Sequence, residues 1–306
     1  MVSVADIKKL REMTGAGMMD CKKALTENNG DIDASCDWLR KKGISQAAKK
    51  GARIASEGVI AQQSNDNVAV VLELNSETDF VAKNETFIEL SSKLLNTLIS
   101  AEKLDNAEDL NIPGSSNTVK DEITNAIGVI GENIKLRRFQ KIHNDKGFIA
   151  SYIHASTSPN LGKIGVLVSV ECDNVNEESK LLAKQIAMHI AASKPVSVDQ
   201  SGVPQNDIEK EKEIFTEQAK SSGKPDEIIT KMVEGRIRKF YEEVVLLEQA
   251  FVIDGKTKIK DAIAKFTKDN SSNFIVKEFI RYELGEGIEK QEENFADEVN
   301  SIVANS

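Results

Sequence analysis

Hydrophobic positions along this chain switch between the three-to-four-residue spacing of an amphipathic helix and the two-residue alternation of a strand. Near the start, Val4, Ile7, Leu10 and Met13 make a stripe behind Ser3, which with Asp6 forms a variant of a capping box. Thr14-Gly15-Ala16-Gly17 breaks the stripe, Met18 to Asn28 resumes it, and Asn29-Gly30 has the composition of a helix C-terminus. Asp31 caps a third helix that carries Ile32, Cys36 and Leu39 and is expected to stop at Gly43. Three short helices with so small a core suit a docking module better than a catalytic domain. Residues 40–53 hold Arg40, Lys41, Lys42, Lys49, Lys50 and Arg53 with no acid among them. That segment reads as a linker or a solvated helix, with a ribosome or nucleic-acid contact as the alternative use of its charge.

From Gly58 the spacing changes to two. Gly58-Val59-Ile60-Ala61 opens a strand, Asn65-Asp66-Asn67 is a turn, and Val68 to Leu74 is the returning strand of a hairpin. Asn75 to Asp79 leads into a helix with Phe87, Ile88, Leu90, Leu94, Leu95 and Leu98 on its apolar face; a second helix is expected over 118–128 and a third strand over 133–139. The pattern then recurs. Gly147-Phe148-Ile149-Ala150 matches the first strand, Gly165 to Val170 the second, Lys180 to Ala192 the helix, and Phe274-Ile275-Val276 with Phe279 to Tyr282 loosely the third strand. An internal duplication is the economical explanation. Between these pieces, residues 206–244 are densely charged and helical, with a thin apolar seam of Ile208, Phe215, Ala219, Ile229, Val233 and Phe240 and a turn at Ser221 to Pro225. Such a pair forms a coiled-coil hairpin, either an arm that reaches a partner or a solvated spacer. The last segment carries a stripe of Ile288, Phe295, Val299 and Ile302 and is expected to be a helix that packs on its own domain or docks elsewhere.

Composition narrows the class. The 306 residues are 40% hydrophobic and 29% charged, as in an ordinary folded protein, and the net charge is −9. A negative chain does not wrap nucleic acid, which needs a basic face, so no direct nucleic-acid partner is expected. No apolar run approaches the ~18 residues of a membrane span, and the longest, Val68 to Leu72, is strand-sized. Cys21, Cys36 and Cys172 include no C-x-x-C, so reduced thiols are expected rather than a zinc site or disulfides. The N-terminal residues lack the basic and apolar regions of a signal peptide, and a cytoplasmic location is expected.

Candidate chemistry is sparse. His143, His154 and His189 show no metal-ligand spacing with each other or with cysteine. Gly15-Ala16-Gly17 lacks a preceding strand, and no G-x-x-x-x-G-K-[ST] or G-x-S-x-G occurs. His154 follows Tyr152 near a strand end and reads as a surface-proximal structural residue. A binding protein without cofactor or metal, and not an enzyme, is the expectation.

Two stretches carry a specific likeness. Leu10 to Leu25 (LREMTGAGMMDCKKAL) and Glu73 to Lys83 (ELNSETDFVAK) closely resemble the elongation factor Ts family, and residues 231–236 and 246–249 add two further points in family order. The resemblance implies an N-terminal module similar to ubiquitin-associated domains, a duplicated core, a coiled-coil arm and a C-terminal helical module. The expected fold is therefore α+β, with duplicated antiparallel-sheet subdomains. The expected division is 1–55 for the three-helix module, 56–140 for one core subdomain, 141–200 with 245–284 for the other, 201–244 for the hairpin and 285–306 for the terminal helix. It implies guanine-nucleotide exchange on elongation factor Tu, in its GDP-bound and nucleotide-free forms, with a homodimer of the complex left open. It also implies that Thr78, Asp79, Phe80 and Val81 form the contact that displaces Mg²⁺, Phe80 being the wedge. Met18, Met19, His154 and Ile288 are expected as further partner contacts. From the residues alone Phe80 has a second reading, a staple packed under its own helix. A ubiquitin-type adaptor, an enzyme using a cleft between the subdomains, and a chaperone-like role stand as rivals. One departure is visible: the family often has Pro where this chain has Ala250.

Overall fold

The computed structural model describes residues 2–65, 67–221 and 223–289. Asp66 of the expected turn, and Phe295, Val299 and Ile302 of the expected terminal stripe, lie outside the described residues. The described part of that segment, Gly285 to Glu289, is turn and irregular chain rather than helix, with Gly285 and Gly287 at φ +72° and +74°.

The chain opens with α1 (Val4–Thr14), α2 (Met18–Glu27) and α3 (Ile32–Lys50). The Ser3 hydroxyl accepts the Asp6 N–H at 3.0 Å and donates to the Asp6 carboxylate at 2.6 Å, as the capping pattern expects. Ile7, Leu10, Cys21, Ala24 and Leu25 form the buried centre of this module. Val4 and Met13, from the same stripe as Ile7 and Leu10, are exposed.

Two related halves follow. The first contains β1 (Glu57–Ser64), β2 (Val68–Ser76), α4 (Glu85–Ser100), α5 (Val119–Ile130) and β3 (Lys135–His143). The second contains β4 (Gly147–His154), β5 (Leu161–Gly162), β6 (Ile164–Cys172) and α6 (Glu177–Ser193). It then runs out through α7 (Gln205–Lys220), back through α8 (Asp226–Val244), and ends with α9 (Ile259–Asn270) and β7 (Phe274–Glu283). The strand order is β3-β2-β1-β5 in one sheet and β4-β6-β7 in the other, all antiparallel. In both, the second strand of the repeat is central.

The expected stop at Gly43 is wrong: α3 continues to Lys50. Gly43 is buried, and a Cβ added to Gly128 of α5 would stand 3.4 Å from the Gly43 Cα. Two glycines let the helix backbones approach, and that packing outweighs the roughly 1 kcal/mol propensity penalty of a mid-helix glycine. The cations of residues 40–53 staple this segment to its neighbours. Arg40 pairs with Asp121 at 2.9 Å, Lys42 with Asp20 at 2.6 Å and Arg53 with Glu77 at 3.3 Å, while Lys50 donates to the Gly131 carbonyl. The linker reading is thus replaced by a helix whose charge is largely spent inside the molecule.

The two sheets stack face to face. Alternate residues of β2 face opposite ways: Val70, Leu72 and Leu74 pack with Phe87, Leu94 and Leu98 of α4, while Ala69 and Val71 join Ile149, Leu167, Ile280 and Tyr282 from the other sheet. Burial on both faces explains why Val68 to Leu72 is a continuous apolar run. In β6, Val166, Val168 and Val170 likewise face α6 and Leu167 faces the first sheet. A Cβ on Gly165 would meet Ile60 Cγ2 at 2.6 Å, so this glycine marks the close approach between sheets. The interface between the halves is packed rather than open, and β5 stitches them by pairing with Ile60 and Ala61.

The duplication reaches backbone detail. Val59 pairs with Leu74 as Phe148 pairs with Val170. The central strand is irregular between Glu73 and Leu74 in one half and between Ser169 and Val170 in the other, which is the same register position. A Cβ on Gly58 would fall 2.1 Å from the Leu74 carbonyl oxygen, and one on Gly147 would fall 2.0 Å from that of Val170.

Candidate functional site

The link between β2 and α4 is a corner tied down at both ends. On its helix side, Val81 and Ala82 form a 3-10 turn and are 6% and 3% exposed, sunk into the core of the first half. The Asn84 side chain accepts the Thr86 N–H at 2.9 Å and caps α4. On its strand side, the Ser76 hydroxyl donates to the Thr78 carbonyl at 2.9 Å. Glu132, in the turn between α5 and β3, accepts the Thr78 N–H at 2.9 Å and the Thr78 hydroxyl at 2.6 Å. Glu77 accepts the Asn133 N–H at 2.6 Å.

Between these anchors Phe80 is 80% exposed, the most exposed large hydrophobic residue among those described and, of their Phe, Tyr and Trp side chains, the one that is exposed. Leaving it in water forgoes roughly 1.5–3 kcal/mol of burial. The staple reading is thereby excluded, because Val81 and Ala82 fill the space under the helix. Asp79 is exposed beside Phe80. Thr78, Asp79 and Phe80 therefore share one outward corner. Val81, expected as a contact residue, is buried and anchors the corner from within.

The other expected contacts sit elsewhere. Met18 and Met19 are exposed on the first turn of α2. His154 is exposed at the end of β4, with its Nδ1 3.1 Å from the Tyr152 hydroxyl. Ile288 is half-buried, and its N–H donates to the Gly285 carbonyl at 3.0 Å. They belong to separate elements of the fold. A cleft of about 540 Å³ lies between the N-terminal module and α4–α5; it is lined by mixed charges including Asp20, Arg40, Lys93 and Glu122. Among the described residues, no group of three or more His, Cys, Asp or Glu side chains is arranged to hold a metal ion.

Two buried polar nodes escaped the sequence reading. Glu73 is fully buried, and its carboxylate accepts from Arg137 at 3.0 Å, Arg138 at 2.6 Å, Asn75 at 3.1 Å and the Gly285 N–H at 2.9 Å. Burial alone would push its pKa up; the backbone N–H of Gly285, Asn75 and the two guanidinium groups outweigh that and hold it below the usual carboxylate value. Arg138 also donates to the Glu283 carbonyl at 3.0 Å and lies 4.2 Å from the Tyr282 ring centroid. This node clamps the first half to the end of β7. Its signal was an acid inside an apolar strand run and an Arg-Arg pair on the strand opposite. The second node is His189, fully buried on α6. Its Nδ1 accepts the Val252 N–H at 3.2 Å, so Nε2 carries the proton toward Gln249 Oε1 at 2.8 Å. Burial lowers its pKa and keeps it neutral.

Comparison with known proteins bears on this arrangement. A family model described as Elongation factor TS matches residues 77–286. Elongation factor Ts of Rhodospirillum centenum is 46% identical over 302 residues, covering 98% of this chain and 98% of that protein. Those of Rickettsia peacockii and Rickettsia bellii are 49% and 46% identical, each spanning at least 98% of this chain and 97% of their own.

Proposed function

Because the chain belongs to the elongation factor Ts family, we propose that it is a translation elongation factor that binds elongation factor Tu carrying GDP and promotes GDP release, so that GTP can enter. It acts by binding and carries out no chemical conversion of its own. The observation that carries this reading is Phe80, 80% exposed on a corner whose two stems are anchored. Phe80 inserts as a wedge between helices of the partner GTPase, with Asp79 and Thr78 at its base. The displaced helices and phosphate loop release the Mg²⁺ that ties GDP to the partner.

Linkage sets the scale. A factor that weakens GDP binding is itself bound less tightly, by the same ratio, when GDP is present. Burying one phenylalanine yields roughly 1.5–3 kcal/mol, enough for about one to two decades of coupling. Larger stimulation needs further grips. Met18 and Met19 on the three-helix, ubiquitin-associated-like module, His154 on the second half and Ile288 after β7 supply them in this reading. The α7–α8 pair serves as a coiled-coil arm toward a partner. No helix among the described residues is long and apolar enough to cross a membrane, and the proposed workplace is the cytoplasm.

The test is GDP release from elongation factor Tu loaded with a fluorescent GDP analogue. Wild-type protein accelerates release. Phe80→Ala lowers that acceleration by about tenfold or more while leaving the melting temperature in place. Undiminished acceleration by a folded Phe80→Ala variant would refute the wedge.

A further inference from the structure

We propose that Glu132 is a positioning residue for exchange, holding the Phe80 corner in its inserting shape before the partner arrives. The inference rests on the wedge reading above and extends it to a residue outside the corner's own segment.

Glu132 is half-buried in the turn between α5 and β3. Both of its carboxylate oxygens are used on one residue, accepting the Thr78 N–H at 2.9 Å and the Thr78 hydroxyl at 2.6 Å. Among the described residues no cation pairs with it, so the carboxylate is committed to the corner rather than to a salt bridge. With Ser76 donating to the Thr78 carbonyl, every polar group of Thr78 is occupied two residues before Phe80. The turn that delivers Glu132 is fixed in its own right. Lys50 donates to the Gly131 carbonyl, and Asn133 donates through its side chain to the Arg53 carbonyl at 2.8 Å and through its backbone to Glu77 at 2.6 Å. The end of α3, the α5–β3 turn and the corner thus meet in one hydrogen-bonded knot. An exposed loop ordered in advance does not pay its conformational entropy on binding. Without Glu132, the corner must be ordered at the moment Phe80 inserts.

A positioning role has a distinctive kinetic signature. Glu132→Ala should lower the saturating rate of GDP release from elongation factor Tu about tenfold, equivalent to about 1.4 kcal/mol. The half-saturating concentration should stay within about twofold, because the other contacts still grip. Glu132→Gln keeps one acceptor and should recover part of the rate. The double variant Phe80→Ala with Glu132→Ala should match Phe80→Ala alone within about twofold, since Glu132 acts only through the wedge. Additive losses in that cycle would overturn the positioning role, as would a full saturating rate in Glu132→Ala. If Phe80→Ala itself exchanges normally, the wedge fails and this inference falls with it; if Phe80→Ala is defective and Glu132→Ala is not, only the inference falls. Should Glu132→Ala fail to fold, Thr78→Val removes the 2.6 Å bond alone and is judged by the same rate and the same cycle.

Discussion

The two halves of the core share a frame and part company at one corner. Each has three antiparallel strands with the second in the middle, an irregularity at the same register, and a glycine jammed against the same carbonyl. After β2 the chain makes a tied corner that thrusts Phe80 into water. After β6 the corresponding link, Asp173 to Asn176, runs straight into α6 through the Asn176–Ser179 capping box and carries no aromatic. The central strand differs too: Glu73, with its clamp to the end of β7, stands where the other half has Ser169. Two equivalent places on a shared frame thus differ, and only one of them carries an exposed aromatic.

If the frame is shared, it breaks the same way in both halves. Gly58→Ala and Gly147→Ala each force a Cβ to within about 2 Å of a strand carbonyl, and each should destabilise by upwards of about 3 kcal/mol in urea melts. Tolerance of one but not the other would show that the backbone equivalence is superficial. The central strand should then separate them. Glu73→Ala strands two arginines that are about a quarter exposed, and should cost about 2–3 kcal/mol after allowing for that exposure. Ser169→Ala loses the 3.0 Å bond from Asn144, which retains two carbonyl acceptors, and should cost about 1 kcal/mol or less.

Acid should sharpen the contrast further, with a smaller effect. Stability rises with pH wherever the unfolded chain binds more protons than the folded one. His189 is held below its ordinary 6.5, so its contribution is full above 6.5 and is lost as pH falls through the folded value. Glu73 is held below 4.5, so its contribution survives until the pH drops beneath that. On acidification the second half should loosen first, losing at most about 1.4 kcal/mol per pH unit from His189. Amide exchange in α6 should accelerate before exchange in α4, and His189→Gln should flatten the stability profile just below pH 6.5. Simultaneous acceleration in both helices would contradict the assignment.

Much of this was legible from residue order, for physical reasons. Val68 to Leu74 read as the returning strand of a hairpin, and the stripe from Phe87 to Leu98 as a helix covering that sheet. What escaped depended on distant partners. Gly43 looked like a terminator because the glycine it packs against, Gly128, comes 85 residues later (128 − 43). Phe80 had two readings because only the three-dimensional placement of Val81 and Ala82 under the helix, with Phe80 outside it, removes the staple. Glu132 gave no local sign, since its partner Thr78 lies 54 residues away in the chain. In the α7–α8 pair, Ile208, Ala219 and Ile229 are buried as expected, while Ile237 joins the seam unannounced.

The base of that pair has its own significance. The Val196 N–H donates to the Val244 carbonyl at 2.8 Å, and the Leu246 N–H to that of Ser197 at 2.9 Å, so the chain departs and returns through a clasp made by its flanks. Beyond the clasp, and beyond the ties of Glu242 to Lys258 and of the Glu243 carbonyl to Gln249 beside it, the pair is mechanically a boom, about 24 Å long at 1.5 Å per residue over the 16 residues of α7. Its reach can be trimmed or lengthened turn by turn, moving the tip about 5.4 Å at each step, without asking the sheets to change anything.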